Sequence, residues 1–166
     1  GSVVFACTNL SEEGLGDSMQ AHLRNRISIV QMRNPTQQEW VQDFAIPNAL
    51  DATLIATTAQ YPQVFDSFMD YRPGGKYSGK NQRKDNPYIQ DPTNAEQEQV
   101  VSPRSLHAAS DIMQERAYMD EPTLQAALTG VVGAPFAAHI VSTMRFGDML
   151  PDYARVFADP MGTPLP

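Results

Sequence analysis

The side chain best placed for chemistry is Arg104, within Ser102-Pro103-Arg104-Ser105. A serine cap followed by proline opens a helix, so the guanidinium is predicted in a first turn, where a cation is disfavoured by about 0.3–1 kcal/mol. An anion offsets that cost, because the free N–H groups of a helix start and the guanidinium fork converge on phosphate oxygens. The alternative is an exposed arginine paired with Asp111 or Glu98. Asn9 directly follows the apolar run Val3-Val4-Phe5-Ala6-Cys7. An amide at the carboxyl end of an α/β strand points into the crevice where ligands bind, although asparagine equally forms turns. Arg24 and Arg26 flank Asn25 at the end of a short predicted helix, where they meet an outside anion or simply complement the helix dipole.

Other chemistries lack their residues. There is no glycine loop ending in Gly-Lys-Ser/Thr, no paired-histidine zinc helix, no Cys-x-x-Cys and no Gly-x-Ser-x-Gly, so the chain carries no self-contained catalytic kit and no metal site is expected. His22, His107 and His139 are scattered and read as surface or hydrogen-bonded helix residues. The single cysteine, Cys7, lies in an apolar run, which points to a buried thiol in a reducing compartment and a cytoplasmic location.

These groups need elements to hold them. With 166 residues, 42% hydrophobic and 19% charged, the chain can bury a core and is neither collagenous, coiled-coil nor wholly disordered. Leu128 to Met144 is the longest weakly polar stretch, yet Gly130, Gly133, Pro135 and His139 interrupt it, short of the roughly 20 apolar residues of a membrane helix. Twelve basic against nineteen acidic residues give a net charge of −7, which opposes general attraction to nucleic acid or anionic membrane and leaves only local binding open. Gly1-Ser2 reads as the scar of a removed tag, so the natural protein is expected to be longer.

Along the chain, Val3–Cys7 and Ile27–Met32 read as strands around a short helix, Ser18 to Asn25. Asn34-Pro35 is predicted to cap a helix carrying Trp40, Val41, Phe44 and Ala45 on one stripe. Asp51 caps another through Leu54, Ile55 and Thr58, and Val64, Phe65, Phe68 and Met69 suggest a third after Tyr61-Pro62. Pro73 to Gln99, rich in Gly, Pro, Asn and Gln, reads as a long loop. Its Lys76, Lys80, Arg83 and Lys84 lie near Tyr77 and Tyr88, a combination met in nucleic-acid contacts, but a solvated mobile loop is the reading preferred here. Helices follow from Ser102, from Glu121-Pro122 and from about Gly133 to Phe146. A last short helix after Leu150 buries Val156 and Phe157, and a proline-rich tail ends the chain.

Taken in order, these features resemble the second half of an AAA+ ATPase of the MoxR-like group. Val3 to Asn9 is similar to the strand ending in the sensor-1 asparagine, and Met19 to Ile27 to the segment that carries the arginine finger. Glu39-Trp40 resembles the Glu-Trp helix that follows, and Pro103-Arg104-Ser105 the motif opening the sensor-2 helix of the lid. The likeness continues through Ala126 to Gly133 and Leu150-Pro151-Asp152. It departs at Ile27, where an aromatic residue is commoner, and at the 73–99 insertion.

The resemblance implies a predominantly α fold: a helical lid-type bundle preceded by the last two strands of an α/β nucleotide-binding core. Residues 1–34 would be the core remnant, and 35–166 the lid with its 73–99 insertion. It also implies an ATP site shared between subunits of a homo-oligomeric ring that remodels a protein client or adaptor. Asn9 would orient water, Arg26 (or Arg24) would reach the neighbour's γ-phosphate, and Arg104 would sense the γ-phosphate in its own subunit. ATP and Mg belong to the full-length protein, with neither held tightly by this fragment, which lacks the phosphate loop. Neither membrane nor nucleic acid is an expected partner. The competing expectation is a non-catalytic helical protein-interaction module.

Overall fold

The computed structural model describes residues 28, 30, 32–150 and 153–158 and falls into two units, Gly1–Arg33 and Asn34–Pro166; the account below concerns the second. Asn9, Arg24, Arg26, the strand expected at Val3–Cys7 and the tail from Pro160 lie outside the described residues, as do Ile27, Ile29 and Gln31 of the second expected strand. Among the described residues there is no strand.

Seven α-helices occur among them: α1 Gln37–Trp40, α2 Ala52–Gln60, α3 Gln82–Asp85, α4 Pro103–Gln114, α5 Glu121–Val132, α6 Ala134–Met149 and α7 Tyr153–Ala158. The second unit is thus predominantly helical. α1 starts two residues later than expected, because Thr36 and Glu39 satisfy each other: the Glu39 N–H donates to Thr36 Oγ1 (3.2 Å) and the Thr36 N–H to Glu39 Oε2 (2.8 Å). Asn34 instead donates its amide to the Asp66 carbonyl at 3.4 Å. α1 then widens into a π-helical turn, Val41–Ala45, closed by the Ile46 N–H on the Val41 carbonyl at 3.0 Å.

Asp51 caps α2 as its sequence suggests, accepting from the Leu54 N–H at 3.1 Å. Its own N–H donates to Ser110 Oγ of α4 at 2.8 Å, tying the start of one helix to the flank of another. Thr57 and Thr58 are fully buried, with their hydroxyls donating to carbonyls one turn back. The helix expected after Tyr61 is instead two 3-10 turns, Pro62–Phe65 and Phe68–Tyr71, since Ser67 and Asp70 form a second reciprocal cap that restarts the chain.

The core is a bundle in which α5 packs against α4 and α6, and α2 against α6 and α4. Leu54, Leu106, Leu128, Phe136 and Ile140 are fully buried at its centre, and Trp40 and Phe65 close one side. α5 and α6 are joined through Gly133 alone, at φ 79°, and a Cβ there would run into the Gln99 carbonyl oxygen. The terminal α7 corrects one expectation: Val156 and Phe157 are 37% and 82% exposed rather than buried, because six residues present too short a stripe to cover both side chains.

The 73–99 segment also differs from the solvated loop expected. It is a succession of turns around α3 whose Asn86, Tyr88, Ile89 and Asp91 are buried. Asn86 donates to the Gln63 carbonyl (2.8 Å) and accepts from the Tyr88 N–H (3.2 Å), so its polar groups are used internally. Tyr88 packs edge-on to Phe136, and its carbonyl accepts from the Val101 N–H at 2.7 Å, which closes the segment at its base. Low apolar content did not mean solvation, because buried amides and one tyrosine anchor the turns. Tyr88 is therefore no stacking surface for bases.

His139 of α6 completes that anchor, sharing a 3.0 Å hydrogen bond with the Tyr88 hydroxyl and stacking on Tyr61 at 3.9 Å. Burial holds the imidazole below its ordinary value of 6.5, and the same burial raises the Tyr88 phenol. The unfolded chain binds the His139 proton more readily, so its contribution to stability is intact above 6.5 and is lost as pH falls from there through the lower folded value. Lowering the pH from about 7.5 to about 5.5 should therefore reduce the Tm of the native chain more than that of His139→Gln; equal shifts would refute this role for His139. Gly133→Ala should destabilise the fold by more than about 1 kcal/mol in urea unfolding, since both the φ and the space are wrong for a side chain.

Candidate functional site

Arg104 stands in the opening turn of α4, as its neighbours dictate. Ser102 Oγ accepts from the Ser105 N–H (3.1 Å), and Ser105 Oγ accepts in return from the Ser102 N–H (2.8 Å). The Leu106 N–H donates to the Ser102 carbonyl at 2.9 Å, and Pro103 has no N–H. That leaves the Arg104 N–H as the one first-turn donor not taken up among the described residues. The several free donors expected at this helix start are thus reduced to one, beside the guanidinium.

The Arg104 side chain is exposed and forms an ion pair with neither Asp111 nor Glu98, the partners its sequence offered. It stands at the rim of a groove of about 480 Å³ whose other walls include Pro35, Trp40, Phe44, Pro103 and His107. Phe44 meets His107 edge-on at 5.7 Å, and Trp40 backs the wall by packing on Phe44 and Phe65 at 6.4 and 5.3 Å. Two carboxylates, Glu39 and Asp43, share the rim with Arg104. The groove is therefore largely apolar and aromatic, with a cation and two acids at its edge.

The elements explain this arrangement. Arg104 and His107 are three residues apart on α4 and so share a face. Asp43 and Phe44 belong to the π-turn, whose wider pitch sets their direction; such turns are frequent at functional sites. Between that turn and α2, Ala49 takes a left-handed φ of 52°, and its carbonyl accepts from Gln114 Nε2 of α4 at 3.0 Å. Trp40 is 2% exposed, and its indole N–H has no acceptor among the described residues. Sequence reasoning found Arg104 and the Glu39-Trp40 pair but missed His107 and Phe44 as neighbours of Arg104. The three-residue spacing to His107 was the available signal; nothing in the sequence marks the π-turn.

Chemically, the groove suits a flat apolar ring that carries an anionic substituent, the ring lying on aromatic walls and the anion on Arg104. The two acids can accept hydrogen bonds from an amino group on such a ring. His139 is committed to Tyr88 and Tyr61, away from this groove, and no cluster of metal-ligating side chains occurs among the described residues. No helix among them is long and apolar enough to cross a membrane. No family model matches the chain, and neither curated proteins nor solved structures show a significant match to it.

Replacing Ser102 with Ala should cost about 1 kcal/mol of stability, because it removes the acceptor of the Ser105 N–H, and urea midpoints measure this directly. Trp40→Phe should change stability by less than about 1.5 kcal/mol, since it keeps most of the buried volume and deletes a donor without a partner.

Proposed function

We propose that this chain is the carboxyl-terminal portion of a MoxR-like AAA+ ATPase, in which a helical lid couples ATP binding and hydrolysis to remodelling of a protein partner. The observation that carries the reading is the Arg104 guanidinium, without an ion-pair partner among the described residues, at the rim of an aromatic groove on a helix opened by Ser-Pro-Arg-Ser. The groove's dimensions and chemistry fit a purine with phosphates directed at Arg104. ATP supplies the phosphoryl bond; this chain's residues bind and orient it.

On this reading Asn9 positions the attacking water, Arg26, with Arg24 as alternate, stabilises charge on phosphate oxygens in the neighbouring subunit, and Arg104 reports the nucleotide to the lid. Arginines in such positions contribute on the order of 10³ to 10⁵ in rate in other phosphoryl-transfer enzymes. The phosphate loop and the magnesium ligands belong to a part of the polypeptide preceding Val3, which makes the present chain inactive by itself. The proposed partners are further copies in a homo-oligomeric ring and a protein client, in the cytoplasm. A second reading, a non-catalytic interaction module, draws on Tyr118, Phe146 and Met149, which are 86%, 61% and 68% exposed.

Two measurements separate these readings. In the full-length protein, Arg26→Ala should abolish turnover with nucleotide binding nearly intact, whereas Arg104→Ala should weaken both; unchanged turnover in both variants would refute the roles given to these arginines, and a full-length protein without ATP turnover would leave the interaction module. In the present chain, ATP should perturb the emission of Trp40, the sole tryptophan, and Arg104→Ala should remove the effect, with no ATP hydrolysis above background. Steady hydrolysis by the chain alone would overturn the assignment.

A further inference from the structure

The charge of this chain is unevenly distributed. Between Tyr71 and Lys84 there are five cations (Arg72, Lys76, Lys80, Arg83 and Lys84) and no acid, and these include every lysine of the sequence. Removing those five charges from a net of −7 leaves −12 on the remainder. The acids flanking the stretch are engaged locally. Asp70 accepts from the Ser67 N–H (2.7 Å) and Asp85 from the Asn81 N–H (3.1 Å). Asp66 pairs with Lys76 at 3.6 Å, where burial raises its carboxyl above the usual range.

The stretch is folded rather than diffuse. The Tyr77 N–H donates to the Asp70 carbonyl at 2.6 Å, and the Gly75, Ser78 and Lys80 N–H groups close successive turns at 2.8, 3.2 and 3.0 Å. Gly74 and Gly79 take φ of 86° and 90°, the conformations those turns require. The turns bring cations onto aromatic faces: the Lys76 and Lys80 ammonium groups lie 4.6 and 5.1 Å from the Tyr77 ring centre, and the Arg72 guanidinium lies 5.5 Å from that of Phe68. The two ammonium groups are thus held within about 10 Å of each other, against their mutual repulsion, with Lys76 63% exposed. Arg83 and Lys84 follow in the sequence, within α3.

We propose that this basic segment, Arg72 to Lys84, is a binding surface for the sugar–phosphate backbone of single-stranded nucleic acid. Clustered ammonium groups suit phosphates approached without regard to sequence. Because the Tyr77 and Phe68 faces are already covered by cations, backbone charge rather than base stacking carries the contact. A single strand is also narrow enough to meet this segment alone. A flat anionic membrane would bring the acidic remainder of the chain to its surface, whereas acids further than about 10 Å from a strand are largely screened at 0.1 M salt. The Asp66–Lys76 pair is no obstacle, since Lys76 stays largely exposed with the pair made.

The test is fluorescence anisotropy of a labelled oligothymidylate titrated with the 166-residue chain, alongside a duplex of equal length and vesicles containing phosphatidylserine. The single strand should bind, and with three to five phosphates engaged its affinity should fall roughly 15- to 100-fold between about 50 and 200 mM salt. Lys76→Gln/Lys80→Gln/Lys84→Gln should weaken binding at least tenfold, and Arg116→Gln, outside the segment, should not. Should the triple variant fail to fold by circular dichroism, Lys80→Glu alone provides the same comparison at one exposed side chain. Absence of binding at low salt, binding indifferent to these changes, or binding only to the duplex or to vesicles would each overturn the proposal.

Discussion

The left-handed turn at Gly133 is the constraint on which the arrangement depends. It lets α5 pass into α6 with one intervening residue, and the missing side chain leaves room for the Gln99 carbonyl to lie against the joint. That contact sets the path of the chain just before α4. Val101, fixed there by its hydrogen bond to Tyr88, delivers Ser102 to its capping position, and Ser102 in turn fixes Arg104. A backbone approach at one helix joint therefore determines where a guanidinium on another helix emerges.

The same economy appears in the segment between Pro73 and Gln99. It has few large apolar side chains, yet Asn86 ties it to Gln63 and Asp66, and Tyr88, two residues on, ties it to His139 and Phe136. The cations lie in the turns that precede these anchors. Buried amides hydrogen-bonded to backbone carbonyls fix a polar segment as firmly as apolar contacts fix a helix, because an unpaired amide in the interior is costly to leave. The segment is thus an integral part of the bundle's surface, with its cations gathered before Asp85 and its acids from Asp85 onward.

Two cationic features on the molecule differ in kind. Arg104 is solitary, on a groove of aromatic walls and acids, and suits one compact anion attached to a flat ring. The Lys76–Lys80 region is a cluster of cations on one aromatic ring, suited to an extended polyanion whose charges repeat. Geometry separates them more clearly than charge does, since an arginine beside an apolar groove discriminates shape while clustered lysines respond mainly to charge density.

Local rules written in the sequence determined the helix starts at Asp51 and Ser102, the apolar stripes of α4 to α6, and the place of Arg104 in a first turn. In each, a side chain satisfies a donor within a few residues, so no distant contact is needed. The same rules failed at Asn34, where Thr36 with Glu39 offered two bonds instead of one, and at Val156 and Phe157, which the short α7 leaves exposed. Asn9, Arg24 and Arg26 remain sequence readings outside the described residues. Tertiary structure alone decided that Trp40, Phe44 and His107 share a groove with Arg104, that Tyr88 is interior, and that two lysines crowd one ring. Those outcomes depend on residues far apart in the chain meeting at distances of a few ångströms, which side-chain type and periodicity do not encode.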